Sequence, residues 1–200
     1  MLNPLEYLGQ GFLNRRWWFR RLYNQVMLAL WRLGIGAIVS PFYLVLTTEG
    51  RKSGLPRHTV VNYQKVDGRT YILAIWGPRS NWYQNIVANP HVVAQTIGRP
   101  ERAVATRVTD DQELRRVFDH LSLPLRPIAA WYLRSLGVEP TPEGIIAGKD
   151  RLYVLRLDPT EEPTPAPLQS NLTWVWPIIG ALAAGLWLLQ RSRETRRLPR

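Results

Sequence analysis

Cysteine is absent from the 200 residues, which excludes disulfides, thiolate metal sites and a cysteine nucleophile and leaves the redox compartment open. Histidine is scarce. His58, His91 and His120 show no metal-ligand spacing, so no metal site is expected. No serine, histidine and acid stand in a plausible catalytic order, and no carboxylate pair falls at a strand end, so hydrolytic chemistry has no candidates. The Walker spacing GxxxxGK[ST] and the dinucleotide fingerprint GxGxxG are both missing. No clean apolar core followed by a small-residue cleavage site opens the chain, so a secretory signal is not expected. Acidic residues are few, 15 against 26 Lys and Arg, for a net charge of +11.

The remaining composition, 46% hydrophobic with 20% charged, is that of a chain able to bury a core rather than stay disordered. Most of the excess charge lies at the two ends: Arg15, Arg16, Arg20, Arg21 and Arg32 against Glu6, and Arg191, Arg193, Arg196, Arg197 and Arg200 against Glu194. These ends also carry the longest apolar runs. Their charge therefore suits an anionic membrane surface better than a nucleic acid, which would need a basic stripe on the central domain. The uncharged stretch Leu172 to Leu189, flanked by Trp174, Trp176 and Trp187 and closed by Arg191, predicts a transmembrane helix. In the N-terminal part, Trp17, Trp18, Phe19, Leu22, Met27, Leu30 and Trp31 alternate with arginines, as in an interfacial amphipathic helix facing lipid. The competing possibility is a helix packed on its own domain.

Between the ends the periodicity turns to short β segments. Strands are expected at 42–48, 58–66, 70–76, 91–97, 102–109 and 151–157, with Asp67-Gly68 as a hairpin turn. Helices are expected at 81–88, 110–121 and 127–136. Strands joined by hairpins disfavour parallel βαβ units and predict a mainly β, α+β fold built on a six-stranded antiparallel barrel. The segmentation is then 1–40, an amphipathic N-terminal region; 41–158, the barrel; 159–171, a proline-rich linker; 172–190, the membrane helix; and 191–200, a basic tail.

Two clusters carry possible chemistry. The turn from Glu49 to Arg57 packs Arg51, Lys52 and Arg57 with Ser53 and two glycines between strands, a combination able to cradle a phosphate. A solvated basic turn would look the same. The stretch Trp76 to Asn85 sets glycine and proline beside aromatics and amides, which suits a flat ring, although Trp82 and Tyr83 could equally cap the core. With no protein nucleophile in view, an enzyme of this composition would rely on a bound cofactor for the hard chemistry.

Together, LTTEGRKSGLPRHTVVNY and SNWYQNIVANPHVVAQ resemble the deazaflavin-dependent nitroreductase family, over roughly residues 42–158. The resemblance implies a split β-barrel of the flavin-reductase kind that binds coenzyme F420. It further implies that Arg51, Lys52, Ser53 and Arg57 hold the cofactor's phosphate and acidic tail, and that Val60, Val61, Ile75, Trp76, Gly77, Trp82 and Asn85 line the deazaflavin. Two places depart from the family pattern: Val60 replaces a common proline, and Ile75-Trp76-Gly77-Pro78 replaces Ser-Lys-Gly-Gly, removing a cation and adding an indole.

The expected activity is hydride transfer from reduced F420 to an electron-poor acceptor such as a quinone or nitro compound. The protein would sit at the cell membrane with its domain on the cytoplasmic face, where a lipid-dissolved quinone is accessible. Tyr63, Trp131 and Tyr132 are the candidates for the acceptor side. The alternative is a non-catalytic, membrane-tethered binding protein for F420, FMN or another phosphorylated ligand. One conflict is left by the charges: a spanning helix with a basic tail inside would place the barrel outside, away from a cytoplasmic cofactor.

Overall fold

The computed structural model describes residues 17–36, 41–96, 100–120 and 126–195, with side chains described for 21–36, 41–96, 100–120 and 130–187. Six strands, β1 (Tyr43–Glu49), β2 (Pro56–Val66), β3 (Arg69–Leu73), β4 (His91–Gln95), β5 (Glu101–Arg107) and β6 (Val154–Pro159), close into a barrel in the order β1-β2-β3-β6-β5-β4. Every pairing is antiparallel. Around it lie helices α1 (Trp17–Arg32), α2 (Asn81–Ala88), α3 (Asp111–Asp119), α4 (Arg126–Ser135), α5 (Pro142–Ala147) and α6 (Val175–Thr195).

The β2–β3 turn has Asp67 at φ 50° and Gly68 at φ 77°. Positive φ at both central positions is what an Asp-Gly hairpin supplies, and it matches the right-handed twist of the strands. Alternation along the strands then builds two cores. Leu44, Leu46, Val61, Ile72, Val92, Leu155 and Leu157 fill the barrel. On the outside of β3 and β6, Tyr71 and Val154 pack with Leu114 and Val117 of α3, Leu133 of α4 and Ile145 of α5. Helix α3 is capped by Asp110, whose side chain accepts from the Glu113 backbone N–H at 2.8 Å. Buried Glu113 accepts in turn from the Tyr71 hydroxyl at 2.8 Å and from Arg156 at 2.9 and 3.0 Å, which ties α3 to the barrel wall.

Several expected bounds shift. The third strand ends at Leu73, so Ala74 to Trp76 lie outside it, and the last strand begins at Val154 rather than Arg151. Helix α5 was not anticipated. Its signal is Thr141-Pro142 followed by Glu143, where Thr141 caps the Gly144 N–H and Pro142 occupies a first-turn position that needs no donor.

The N-terminal expectation needs correction. Met27, Leu28 and Trp31 are buried, with Leu28 and Trp31 packed on Val45 and Val60, so α1 docks on the barrel rather than turning that face to lipid. Asn24 fixes the dock by accepting from the Val60 N–H at 2.8 Å. Leu22, Tyr23 and Val26 remain exposed; the side chains of Trp17, Trp18 and Phe19, and residues 1–16, lie outside those described.

The proline-rich segment is pinned to the barrel. Leu168 is buried with Leu28, Trp31 and Val45, and its carbonyl accepts from Gln95 at 3.2 Å.

The expected transmembrane helix is also corrected: among the described residues no helix is long and apolar enough to cross a membrane. Helix α6 starts at Val175, three residues into the apolar stretch, because Leu172 to Trp174 form a turn onto α1. The fifteen helical residues from Val175 to Leu189 span only about 22 Å at 1.5 Å per residue. A bilayer core is about 30 Å thick.

Candidate functional site

The basic turn is built backbone first. The Gly50 N–H donates to the Leu55 carbonyl at 2.9 Å, the Ser53 and Gly54 N–H groups both donate to the Gly50 carbonyl, and Gly54 holds φ 66°, where a side chain would be strained. A Cβ on Gly50 would lie 2.7 Å from Ser53 Oγ, so the loop closes tightly on a position only glycine fits. Ser53 Oγ accepts from Arg57 at 3.2 Å.

The fold brings this turn against α2, thirty residues further along the chain. Asn85 is buried and uses both ends of its amide. Its Oδ1 accepts from the Arg51 backbone N–H at 3.3 Å and from the Arg51 guanidinium at 3.1 Å, while its Nδ2 donates to Thr48 Oγ1 at 3.1 Å. Asn81, in the first turn of the same helix, accepts from Arg51 at 3.4 Å. Asn89 donates to Glu49 at 2.7 Å and so holds the strand end. Arg51, Lys52, Ser53 and Arg57 are all exposed, and among the described residues no carboxylate forms an ion pair with any of the three cations. The outcome is a positioned, uncompensated positive patch whose guanidinium is fixed by neutral amides. That donor set is suited to a phosphate or carboxylate-rich ligand.

The second cluster begins beside α2. Gln84 donates to the Pro78 carbonyl, joining the Ile75–Pro78 loop to the helix. Gly77 holds φ 45°, and a Cβ there would meet the Tyr153 ring at 2.5 Å. Tyr153 packs edge-on to Tyr83, with centroids 5.1 Å apart, and carries the Arg107 guanidinium 4.5 Å from its centroid. Arg107 donates to the carbonyls of Asp150 and Leu152 at 3.0 and 3.2 Å. Burial pushes the Tyr83 phenol up, with Arg107 opposing and Tyr153 adding to the effect. Arg107, Tyr153 and Thr48 were not singled out from the sequence. They join the site because β5 and β6 are barrel neighbours and because Asn85 reaches the end of β1, and neither relation has a local sequence signal.

The other expected residues disperse. Val61 is buried inside the barrel, and Val60 is partly buried against the α1 contact. Trp82 is partly buried against the barrel core, as is Tyr63. On α4 the two candidates separate: Trp131 is exposed and Tyr132 is buried. Burial, with the nearby Tyr153, pushes the Tyr132 phenol up to about 12, so it stays protonated at neutral pH. Its hydroxyl, Ser80 Oγ and Arg107 Nε are buried polar atoms without a hydrogen-bond partner among the described residues.

Residues 29–126, from the second half of α1 to the start of α4, match the model of the F420H(2)-dependent quinone reductase family. This segment is similar to that family. The resemblance carried by the two motifs is thereby borne out, and the F420-dependent quinone reductase family is one of oxidoreductases. No curated protein matches the chain. Solved structures with detectable similarity include an F420-H2 dependent reductase, 20% identical over 58% of this chain and 93% of that one, with a TM-score of 0.34. A conserved hypothetical protein from Mycobacterium tuberculosis is 17% identical over 62% and 77%, with a TM-score of 0.39. A putative 5-nitroimidazole antibiotic resistance protein from Bacteroides thetaiotaomicron is 12% identical over 63% and 76%, with a TM-score of 0.41.

Proposed function

We propose that this quinone reductase family domain binds reduced coenzyme F420 at the Arg51 turn and reduces an electron-poor acceptor, a membrane quinone before a nitro compound, on the cytoplasmic face of the cell membrane. The observation that carries the cofactor half is the exposed trio Arg51, Lys52 and Arg57, with Arg51 fixed by Asn85 and Asn81. These residues fit the group the family implies. The patch is cationic and pre-positioned, and among the described residues no carboxylate pairs with its three cations.

When bound, F420 supplies the hydride that reduces the acceptor. The chain's part is binding and orientation. Arg51, Lys52 and Arg57 would hold the phosphate and acidic tail. Asn85 keeps the Arg51 fork aimed, which reduces the rotamer freedom lost on binding. The Ile75–Pro78 loop, fixed by Gln84 and by Tyr153, would offer Trp76 as an apolar face for the ring. Tyr132, held protonated, can donate a hydrogen bond but not serve as a base near neutral pH.

Fluorescence titration of the full chain in mild detergent tests this reading, using F420 and FMN as ligands and an Arg51→Ala, Lys52→Ala double variant beside the parent. Expected is tight F420 binding that weakens at least about tenfold in the variant, about 1.4 kcal/mol. Equal binding by parent and variant would show that the turn is not the phosphate site. Preference for FMN would replace the cofactor.

A further inference from the structure

Helix α6 exposes large apolar side chains along its described length. Ile178, Ile179, Leu182 and Leu186 are between 48% and 64% exposed along one face, Trp187 is exposed on the opposite face, and the fifteen residues Val175 to Leu189 carry no charge anywhere on the circumference. Gly180 and Gly185 have open space where a Cβ would stand. A helix of this kind needs an apolar surrounding on all sides, whereas a surface-lying helix keeps a polar face. Yet its apolar part, about 22 Å long, does not cross a core of about 30 Å.

Its near end is not free to reorient. The Leu172 N–H donates to the Arg32 carbonyl at 3.0 Å, and the Trp176 indole donates to the Leu33 carbonyl at 2.7 Å. These bonds also cap the end of α1 with donors from the α6 side. Helix α1 adds Leu22, Tyr23 and Val26 as exposed apolar groups next to its arginines. At the far end, Arg191 and Arg193 lie in the last turns of α6, and the sequence continues with Arg196, Arg197 and Arg200. Both ends of the apolar stretch are thus basic, which complements anionic headgroups.

We infer that α6 is a one-sided membrane anchor: it embeds in the cytoplasmic leaflet of an anionic bilayer, with the barrel and the basic tail on the same side. A helix about 10 Å across fits within half of a 30 Å core, with its two basic ends returning to one headgroup layer. This placement deepens the proposed membrane location. It also removes the conflict set by the charges, because a non-spanning helix lets the arginine tail and a cytoplasmic cofactor site share one compartment. Helix α1 then connects the lipid surface to the site, since Asn24 holds strand β2 just after the Arg51 turn.

The absence of cysteine makes the test direct. Single variants Glu161→Cys, before α6, and Arg200→Cys, at the tail, are expressed as full chains in bacteria and probed with an impermeant thiol reagent in intact spheroplasts and in inverted vesicles. Both should react in inverted vesicles and neither in spheroplasts. Labelling on opposite sides would establish a span and overturn the inference, as would labelling of both from outside. The chain should sediment with vesicles containing phosphatidylglycerol. A Leu182→Asp, Leu186→Asp pair should shift its partition towards water by at least about tenfold. Sedimentation unchanged by that pair would instead assign α6 to protein contacts and overturn the anchor. Labelling and sedimentation need no cofactor, and reduction of a water-soluble quinone by the Asp pair, expected at the parent's rate, reports on the redox reading separately.

Discussion

Replacing Gly77 by alanine probes the loop that joins the two halves of the site. The new methyl would stand 2.5 Å from Cδ2 and Cε2 of Tyr153, well inside van der Waals contact, on a backbone at φ 45°. The left-handed conformation costs an L-residue about 1–2 kcal/mol and overpacking against a ring about 1–3 kcal/mol. A loss of about 3 kcal/mol is therefore expected. For a chain of this size each kcal/mol moves Tm by about 2–4 °C, which gives a fall of about 6–12 °C by circular dichroism. Tyr153 cannot simply swing away, because its other side carries the Arg107 guanidinium and its edge meets Tyr83. A double-mutant cycle with Tyr153→Ala separates the causes: the steric part disappears when the ring is gone while the backbone part stays, so the two losses should fall short of additivity by about 1–2 kcal/mol. A Gly77→Ala protein within about 0.5 kcal/mol of the parent, or strict additivity, would refute the claim that Tyr153 sets the loop.

Asn85→Ala should cost about 1–3 kcal/mol in urea unfolding, since it strips a buried amide from Thr48 and Arg51, and should weaken F420 binding at least about fivefold through a loosened Arg51; unchanged affinity would show that the guanidinium needs no anchor. Burial, with Arg32 adding to it, holds His58 below the ordinary histidine value of 6.5. The unfolded chain therefore takes up the proton first as pH falls, so stability should be full above pH 6.5 and decline below it until the folded form also titrates. His58→Gln should flatten that slope in urea midpoints measured from pH 5 to 8. For Glu113, burial works to raise the carboxyl, but hydrogen bonds from Arg156 and Tyr71, with the charges of Arg156 and Arg69, hold it below its usual 4.5. Its contribution should persist above that pH and fade below it, and Glu113→Gln should cost about 2–4 kcal/mol by leaving Arg156 short of its partner, read as a lowered unfolding midpoint at pH 7.

What the chain declared by itself was local. Asp67-Gly68 encodes its hairpin because two adjacent residues accept positive φ, the 81–88 helix is bounded by its own Ser80 and Asn89-Pro90, and the short apolar run Leu44 to Leu46 marks a strand buried on both faces. The family could be read early for the same reason, since its two motifs are contiguous runs. Tertiary structure alone decided the rest. Arg51 meets Asn85 only because β1 and β2 hold the turn against α2, and Tyr153 meets Gly77 only because the barrel brings the start of β6 beside the chain leaving β3. The ends show the same division. Apolar residues with arginines predicted lipid contact equally for Trp31, which packs on the barrel, and for Leu182, which is exposed. Composition states that a side chain must leave water, but what receives it is fixed by the shape of the barrel, which packs Trp31 beside Val45 and leaves Leu182 of α6 exposed.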